Sequence, residues 1–349
     1  MSRYLIDTYQ PLEAYVPGEQ PQDMQYVKLN TNESPSPPSP AVIAAASREA
    51  GRLQLYSDPV CANVRDAIAG LYGVGRENVL AANGSDEVLA FAFQAFGGEG
   101  LAHPDITYGC YAVWTGLYHL DAKIIPLKED FTIDPKDYES LDRCVVIANP
   151  NAPTGIALPL SAIAQIAKSN PDRVVIVDEA YVGFGADSAV KLLPEYGNIL
   201  VVRTFSKSRQ LAGARLGFAL GSEELIGDLN LIRYSFHPYN VNSLTQAAGA
   251  AALEDAAYFE DCRQKIMETR AWTKEQLESL GFQVLDSRAN FLFAAAPGLG
   301  GAEYQKRLRE KKILIRYFDQ PRIRDFVRIT IGSREQMEKL IEATKEILA

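Results

Sequence analysis

The sequence predicts an α/β fold: a large domain on a mostly parallel, doubly wound sheet, then a smaller α+β domain. Three observations carry this. Short apolar runs alternate with helical patterns as far as about Asn242, the pattern of βαβ units. Beyond Asn242 that alternation gives way to a long helical tract, then short strands and helices. Several early apolar runs also end in polar residues, and open parallel sheets bind ligands outside the carboxyl ends of their strands. A length of 349 residues leaves room for two domains of about 150 residues each. The expected division is an N-terminal arm (1–40) belonging with the small domain or an interface, a large domain (41–241) and a small domain (242–349).

Taken in order, residues 1 to about 40 are irregular, because Tyr15-Val-Pro-Gly and the prolines from Pro35 to Pro40 forbid a long helix. Ala41 to Arg52 has a short helical pattern, and Leu55-Tyr-Ser-Asp-Pro59 a turn. Val64 to Tyr72 reads as a helix stopped by Gly73. Val79 to Ala82 is a strand, and Asn83-Gly-Ser-Asp-Glu opens a helix to about Phe96, with Ser85 or Asp86 as N-cap. Leu101 to Pro104 is a strand, Tyr108 to Leu120 helical, and Lys123 to Leu127 extended. Val145 to Ala148 is a buried strand ending in Asn149-Pro-Asn-Ala-Pro-Thr-Gly155. Helix Leu160 to Lys168 precedes Val174-Val-Ile-Val-Asp178-Glu-Ala-Tyr181. Ile199 to Val202 and Leu216 to Leu220 are two more strands. Ser243 to Leu280 reads as the long helical tract. Phe282 to Leu285, Asn290 to Phe293, Ile313 to Phe318 and Val327 to Ile331 are strands, separated by helix Ala302 to Lys311 and followed by a helix from Arg334.

Lys207 follows a buried strand, so partial desolvation lowers its pKa and frees an amine that can form a Schiff base with an aldehyde. Ser206 and Arg215 bring a hydroxyl and a planar charged fork suited to a phosphate. Amine, hydroxyl and guanidinium together describe a seat for pyridoxal 5'-phosphate. The other strand ends suit the same cofactor. Asp178 sits where a carboxylate keeps a pyridine nitrogen protonated. Asn151 and Tyr181 can hydrogen-bond the ring oxygen. Gly84-Ser85-Asp86 opens a helix whose N-terminus favours an anion. Tyr108 either stacks on the ring or is a core aromatic. Arg316 and Arg328 each interrupt an apolar strand, as snorkelling edge residues or as binding residues.

Other classes are disfavoured. The net charge is −9, from 35 Lys+Arg against 44 Asp+Glu, with no basic block, so no nucleic-acid partner is expected. No run of 18 apolar residues and no N-terminal signal pattern is present, so a soluble, cytoplasmic protein without membrane contact is expected. The cysteines Cys61, Cys110, Cys144 and Cys262 are far apart and read as buried free thiols. His103, His119 and His237 are too scattered for a metal site. Gly73-Val-Gly75 lacks the third glycine of a dinucleotide turn.

The motifs Tyr15-Val-Pro-Gly, Leu29-Asn-Thr-Asn-Glu-Ser-Pro, Tyr56-Ser-Asp-Pro, Asn83-Gly-Ser-Asp-Glu, Asn149-Pro-Asn-Ala-Pro-Thr-Gly, Asp178-Glu-Ala-Tyr, Phe205-Ser-Lys-Ser and Val327-Arg-Ile-Thr-Ile-Gly resemble those of fold-type I pyridoxal-phosphate enzymes. Within the class II aminotransferase group they resemble the histidinol-phosphate aminotransferase family, over essentially the whole chain. The resemblance implies a histidinol phosphate:2-oxoglutarate aminotransferase of histidine biosynthesis, acting as a homodimer with shared sites. It implies that Lys207 carries the cofactor and that Tyr56 reaches the cofactor phosphate of the neighbouring subunit. Arg328 then binds substrate carboxylate, Arg316 with Arg328 binds substrate phosphate, and Tyr15 and Asn32 lie near the substrate. Two positions depart from the family pattern: Ala152 replaces an Asn, and Ser208-Arg209-Gln210 replaces a small or aromatic run expected to line the mouth of the site. An aromatic amino acid aminotransferase, a threonine-phosphate decarboxylase and a non-catalytic protein of the same fold are the alternatives; intact Lys207 and Asp178 argue against the last.

Overall fold

The computed structural model describes residues 2–22 and 25–349. Its elements are, in order, β1 (Val27–Lys28), α1 (Pro40–Ala50), α2 (Ala62–Tyr72), β2 (Val79–Ala82), α3 (Ser85–Phe96), β3 (Leu101–Pro104), α4 (Cys110–Leu117), β4 (Ala122–Ile125), β5 (Cys144–Ala148), α5 (Leu160–Ser169), β6 (Val175–Asp178), β7 (Ile199–Thr204), β8 (Gly217–Leu220), α6 (Glu223–Phe236), α7 (Ser243–Glu254), α8 (Ala256–Ser279), β9 (Gln283–Val284), β10 (Phe291–Ala295), α9 (Gly301–Glu310), β11 (Ile313–Leu314), β12 (Arg316–Tyr317), β13 (Phe326–Thr330) and α10 (Arg334–Leu348).

Seven strands form one sheet in the order β2-β8-β7-β6-β5-β3-β4. All pairings are parallel except those of β8 with β2 and β7. Strand side chains alternate between faces, and here both faces are covered. Val145, Ile147, Val175, Val177, Ile199 and Val201 pack with Ile68 of α2, Ile163 of α5 and Ala248 of α7. Val146, Ala148, Ile176, Leu200 and Val202 pack with Phe91 of α3, Tyr111 of α4 and Leu229 of α6. This two-sided burial is why the strands read as continuous apolar runs in the sequence.

An antiparallel sheet of four strands follows, in the order β12-β13-β10-β9. Leu292, Ala294, Val327 and Ile329 point to α8, α9 and α10, where they meet Ile266, Leu308 and Leu340. The alternate residues, Phe291, Phe293 and Arg328, take the opposite face. Strand β1 pairs in parallel with β11 and so ties the N-terminal segment to this part of the chain.

The structure departs locally from the expected elements. The long helical tract is two helices, broken at Asp255, whose side chain accepts a hydrogen bond from Tyr258 N and caps α8. The first of the two, α7, packs on the seven-stranded sheet. Helix α6 was not legible: Leu225, Ile226 and Leu229 are buried, but Leu231, Tyr234 and Phe236 are exposed, and apolar residues on both faces blur the helical period. Helix α3 is capped by Gly84 at φ 91° rather than by a side chain of Ser85 or Asp86.

Candidate active site

The carboxyl ends of β5, β6 and β7, the start of α3 and one face of the four-stranded sheet enclose a cavity of about 500 Å³. Lys207 stands three residues beyond β7, in a turn held by a hydrogen bond from Ser206 N to Thr204 Oγ1 at 3.1 Å. Its Nζ donates to the Thr31 carbonyl at 3.2 Å and lies 5.9 Å from the centre of the Tyr181 ring. Burial, reinforced by the Arg328 cation, pushes the Lys207 pKa down to about 8, so a useful fraction of the amine is uncharged near neutrality.

Asp178 is the last residue of β6 and is buried. Its Oδ2 accepts from the Tyr111 hydroxyl at 2.8 Å and its Oδ1 from Ala180 N at 3.1 Å. Burial pushes its pKa up to about 6, and these two hydrogen bonds hold it from going higher. The Tyr181 hydroxyl accepts from Asn32 Nδ2 at 2.9 Å. Asn32 is itself locked to Thr330 by two 2.9 Å hydrogen bonds, one from its backbone N–H and one to its side-chain oxygen. Its φ of 57° is left-handed, a conformation that Asn tolerates better than most residues.

At the mouth of α3, Arg215 Nη2 reaches Asp86 Oδ2 at 3.0 Å and Nη1 reaches Ser206 Oγ at 3.4 Å. The Tyr108 hydroxyl donates to Asp86 Oδ1 at 3.0 Å. Glycine is required here twice. Gly84 has φ 91°, which L side chains rarely adopt, and a Cβ on Gly217 would lie 2.2 Å from the Ser85 backbone N. The close approach leaves a hydroxyl, a guanidinium and a helix N-terminus around one point, a seat for a phosphate.

The opposite wall carries two arginines. Arg316 and Arg328 are direct cross-strand partners in the β12–β13 ladder. Arg316 donates to the Val16 carbonyl at 3.2 Å and Arg328 to the Asn30 carbonyl at 3.1 Å. Among the described residues neither has a carboxylate partner, and Arg328 Nε is buried without any partner. Burial lowers the Arg328 pKa. Like charges directly opposite on neighbouring strands repel, and an anion between them would relieve that repulsion.

Of the residues singled out from the sequence, Tyr15, Asn32, Ser85, Asp86, Tyr108, Asp178, Tyr181, Ser206, Lys207, Arg215, Arg316 and Arg328 all line this cavity. Gly84 packs directly behind Arg215. Asn151 does not face the cavity. Its amide donates to the Ile106 carbonyl and Thr154 Oγ1 at 3.0 and 3.1 Å, and its oxygen accepts from Thr107 at 3.0 Å. Asn151 therefore pins two loops together, and Ala152 lines the cavity instead. Tyr56 lies outside the cavity of its own chain, 84% exposed and stacked on Tyr239 at 4.6 Å. Ser208, Arg209 and Gln210 do not line the mouth either, because the turn after Lys207 carries Ser208 and Arg209 to a different cavity.

Two functional groups were not legible. Tyr111, which supports Asp178, lies one helical turn beyond Tyr108, and that spacing is the only signal that could have found it. The Thr31 carbonyl beside Lys207 is a backbone group with no sequence signal.

The family described as aminotransferase class I and II matches residues 24–343, and the chain belongs to it. A histidinol-phosphate aminotransferase of Marinomonas sp. (strain MWYL1) is 50% identical, over 99% of this chain and 100% of that protein. Two solved structures share the fold. A histidinol-phosphate aminotransferase from Sinorhizobium meliloti in complex with pyridoxal-5'-phosphate has a TM-score of 0.88 and 23% identity, covering 99% of both chains. An L-threonine-O-3-phosphate decarboxylase from Porphyromonas gingivalis has a TM-score of 0.79 and 22% identity, covering 92% of this chain and 99% of that one.

Proposed function

We propose that this chain transfers the amino group of histidinol phosphate to 2-oxoglutarate, with pyridoxal 5'-phosphate bound at Lys207. The observation that carries the reading is the Arg316–Arg328 pair, two facing guanidinium groups without a carboxylate partner among the described residues, across the cavity from an amine of lowered pKa. A phosphate on the amino donor and a carboxylate on the second substrate can both use that pair. The 50% identical relative supports the same substrate.

The residues present fit the cofactor. Arg215, Ser206 and the start of α3 would hold its phosphate, and Asp178 would hold a proton on its ring nitrogen. Tyr181, braced by Asn32, would face its ring oxygen, and Tyr108 would cover the ring. When bound, this cofactor supplies an electron sink for charge left on the amino-bearing carbon. Lys207 Nζ, set free when the substrate's own amine takes its place and uncharged in part near neutrality, would take the proton from that carbon as a general base. Arg328 and Arg316 fix the far end of the substrate so that this carbon stays within reach of Lys207.

The chain is also read as one half of a homodimer that works in the cytoplasm. Leu53, Leu55, Tyr56, Phe236 and Tyr239 are exposed together with Leu231, an amount of apolar surface that suits a subunit interface. Tyr56 would act there on the partner's cofactor phosphate. The four cysteines are free and buried, which suits a reducing compartment. No helix among the described residues is long and apolar enough to cross a membrane.

Two experiments test these readings. Glutamate formation is measured with histidinol phosphate, phenylalanine or threonine phosphate as donor, with carbon dioxide release followed in parallel. Histidinol phosphate should give the highest kcat/KM; preference for phenylalanine, or carbon dioxide from threonine phosphate, refutes the assignment. For the dimer, Lys207→Ala is reassociated with an inactive Tyr56→Ala variant. Action in trans restores about half the activity per heterodimer, because one site collects both defects. A dead mixture, with the heterodimer confirmed by native mass spectrometry, counts against the shared site.

A further inference from the structure

The turn after Lys207 carries Ser208 and Arg209 into a separate cavity of about 320 Å³, on the far side of the lysine loop. Tyr72, Phe205, Phe218 and Phe259 form much of its wall. The Arg209 guanidinium lies 3.8 Å from the centre of the Phe259 ring, and its Nη1 donates to the Ala252 carbonyl at 2.6 Å. No carboxylate pairs with it among the described residues. Burial, with the nearby Arg203 cation adding to it, pushes its pKa down to about 10.

Arg203 stands over the Tyr72 ring at 5.1 Å. Its nearest carboxylate, Glu179, is 3.8 Å away and already accepts from Ser188 Oγ and Ala189 N. The third arginine, Arg263, is neutralised by Glu260 at 2.6 Å. The cavity therefore holds two guanidinium groups among flat aromatic walls: Arg203, paired with the buried Glu179 and donating to the Tyr72 hydroxyl, and Arg209, which has no carboxylate partner among the described residues. Ser208 presses on Gly183, and its hydroxyl makes no hydrogen bond among the described residues.

We propose that this cavity binds a small aromatic carboxylate, its carboxylate between Arg203, Arg209 and Ser208 and its ring against Phe259 and Tyr72. A planar carboxylate matches the guanidinium fork, and a single ring suits both the aromatic walls and a volume at the small end for ligand sites. Phosphate would meet the same cations but leave the aromatic walls unmatched. Because Arg209 is two residues from Lys207, an occupant also restrains the turn that presents the lysine.

The test is calorimetric titration of benzoate into the cofactor-loaded protein, with 2-oxoglutarate present to fill the catalytic cavity. Expected is one saturable site per chain whose affinity does not change as 2-oxoglutarate is raised. Arg209→Gln should weaken it about tenfold or more, as loss of a charge-assisted contact does. Phe259→Leu, which keeps every charge, should weaken it severalfold, so the test survives if Arg209→Gln folds poorly. Hydrogen exchange of the amides from Phe205 to Gln210 should slow with benzoate in the wild type. Four outcomes overturn the proposal: no binding, binding that 2-oxoglutarate competes away, binding unchanged in both variants, or displacement by inorganic phosphate at equal concentration.

Discussion

The two walls of the catalytic cavity handle charge in opposite ways. On the wall formed by the large sheet, the charged groups already have partners: Arg215 with Asp86, Asp86 with Tyr108, and Asp178 with Tyr111. On the wall formed by the small sheet, Arg316 and Arg328 face each other across a ladder and, among the described residues, hydrogen-bond to backbone carbonyls and lie over aromatic rings without a carboxylate partner. Partnered groups keep one geometry whether or not a ligand is present, which suits a resident cofactor. Two unpartnered cations repel until an anion arrives, which suits a substrate that comes and goes. The first wall is balanced within the fold, and the second is left with charge that the described residues do not balance.

The largest effect belongs to the group standing between the walls. Lys207→Ala should lose all measurable transamination, and borohydride should no longer fix the cofactor to the chain. Mass spectrometry of the reduced protein checks this, and label on a different lysine would overturn the assignment. Next is Asp178→Asn, which should keep the cofactor but lose turnover by roughly a hundred- to a thousandfold, the scale of breaking a buried ionic pair. Near-normal turnover would make Asp178 merely structural.

Tyr111→Phe should have a smaller effect, about tenfold, for one hydrogen bond to a charged group. It also has a direction in pH. Asp178 must be ionised to act, so activity falls as pH drops through its pKa. In the cofactor-free chain burial raises that pKa to about 6 and the Tyr111 hydroxyl lowers it; a protonated ring nitrogen beside Asp178 would lower it as well. Without the hydroxyl the pKa rises further, and the acid limb of the kcat/KM profile should move to higher pH. An unmoved limb would mean that Tyr111 only fills space.

Much of the first wall was legible because strands buried on both faces read as apolar runs, and their ends stand out as abrupt polar residues: Asp178, Ser206 and Lys207. Gly84 and Gly217 are different. Gly84 was marked by its place before the helix, but its positive φ was not, and Gly217 is needed because backbone passes close to Ser85, a proximity not written in local sequence. Residue type marked Asn151 but not its hydrogen-bond partners. Its N–H groups are spent on Ile106 and Thr154 and its oxygen accepts from Thr107, and Ala152 takes the lining position. On the second wall, the interruption of apolar runs at Arg316 and Arg328 marked both residues. That they are direct cross-strand partners depends on register between strands separated by an irregular turn, which no periodicity specifies. Ser208 and Arg209 were assigned to the wrong side of the lysine loop because the direction of a tight turn after a strand cannot be read from its residues.

The central claim is that the unpartnered arginine pair reads the substrate's phosphate. The most direct test is kcat/KM for histidinol phosphate and for glutamate in Arg316→Ala and Arg328→Ala. Arg328→Ala should lower both. Arg316→Ala should lower histidinol phosphate by roughly ten- to a hundredfold while glutamate changes far less. Equal losses for the two substrates in Arg316→Ala would contradict the claim.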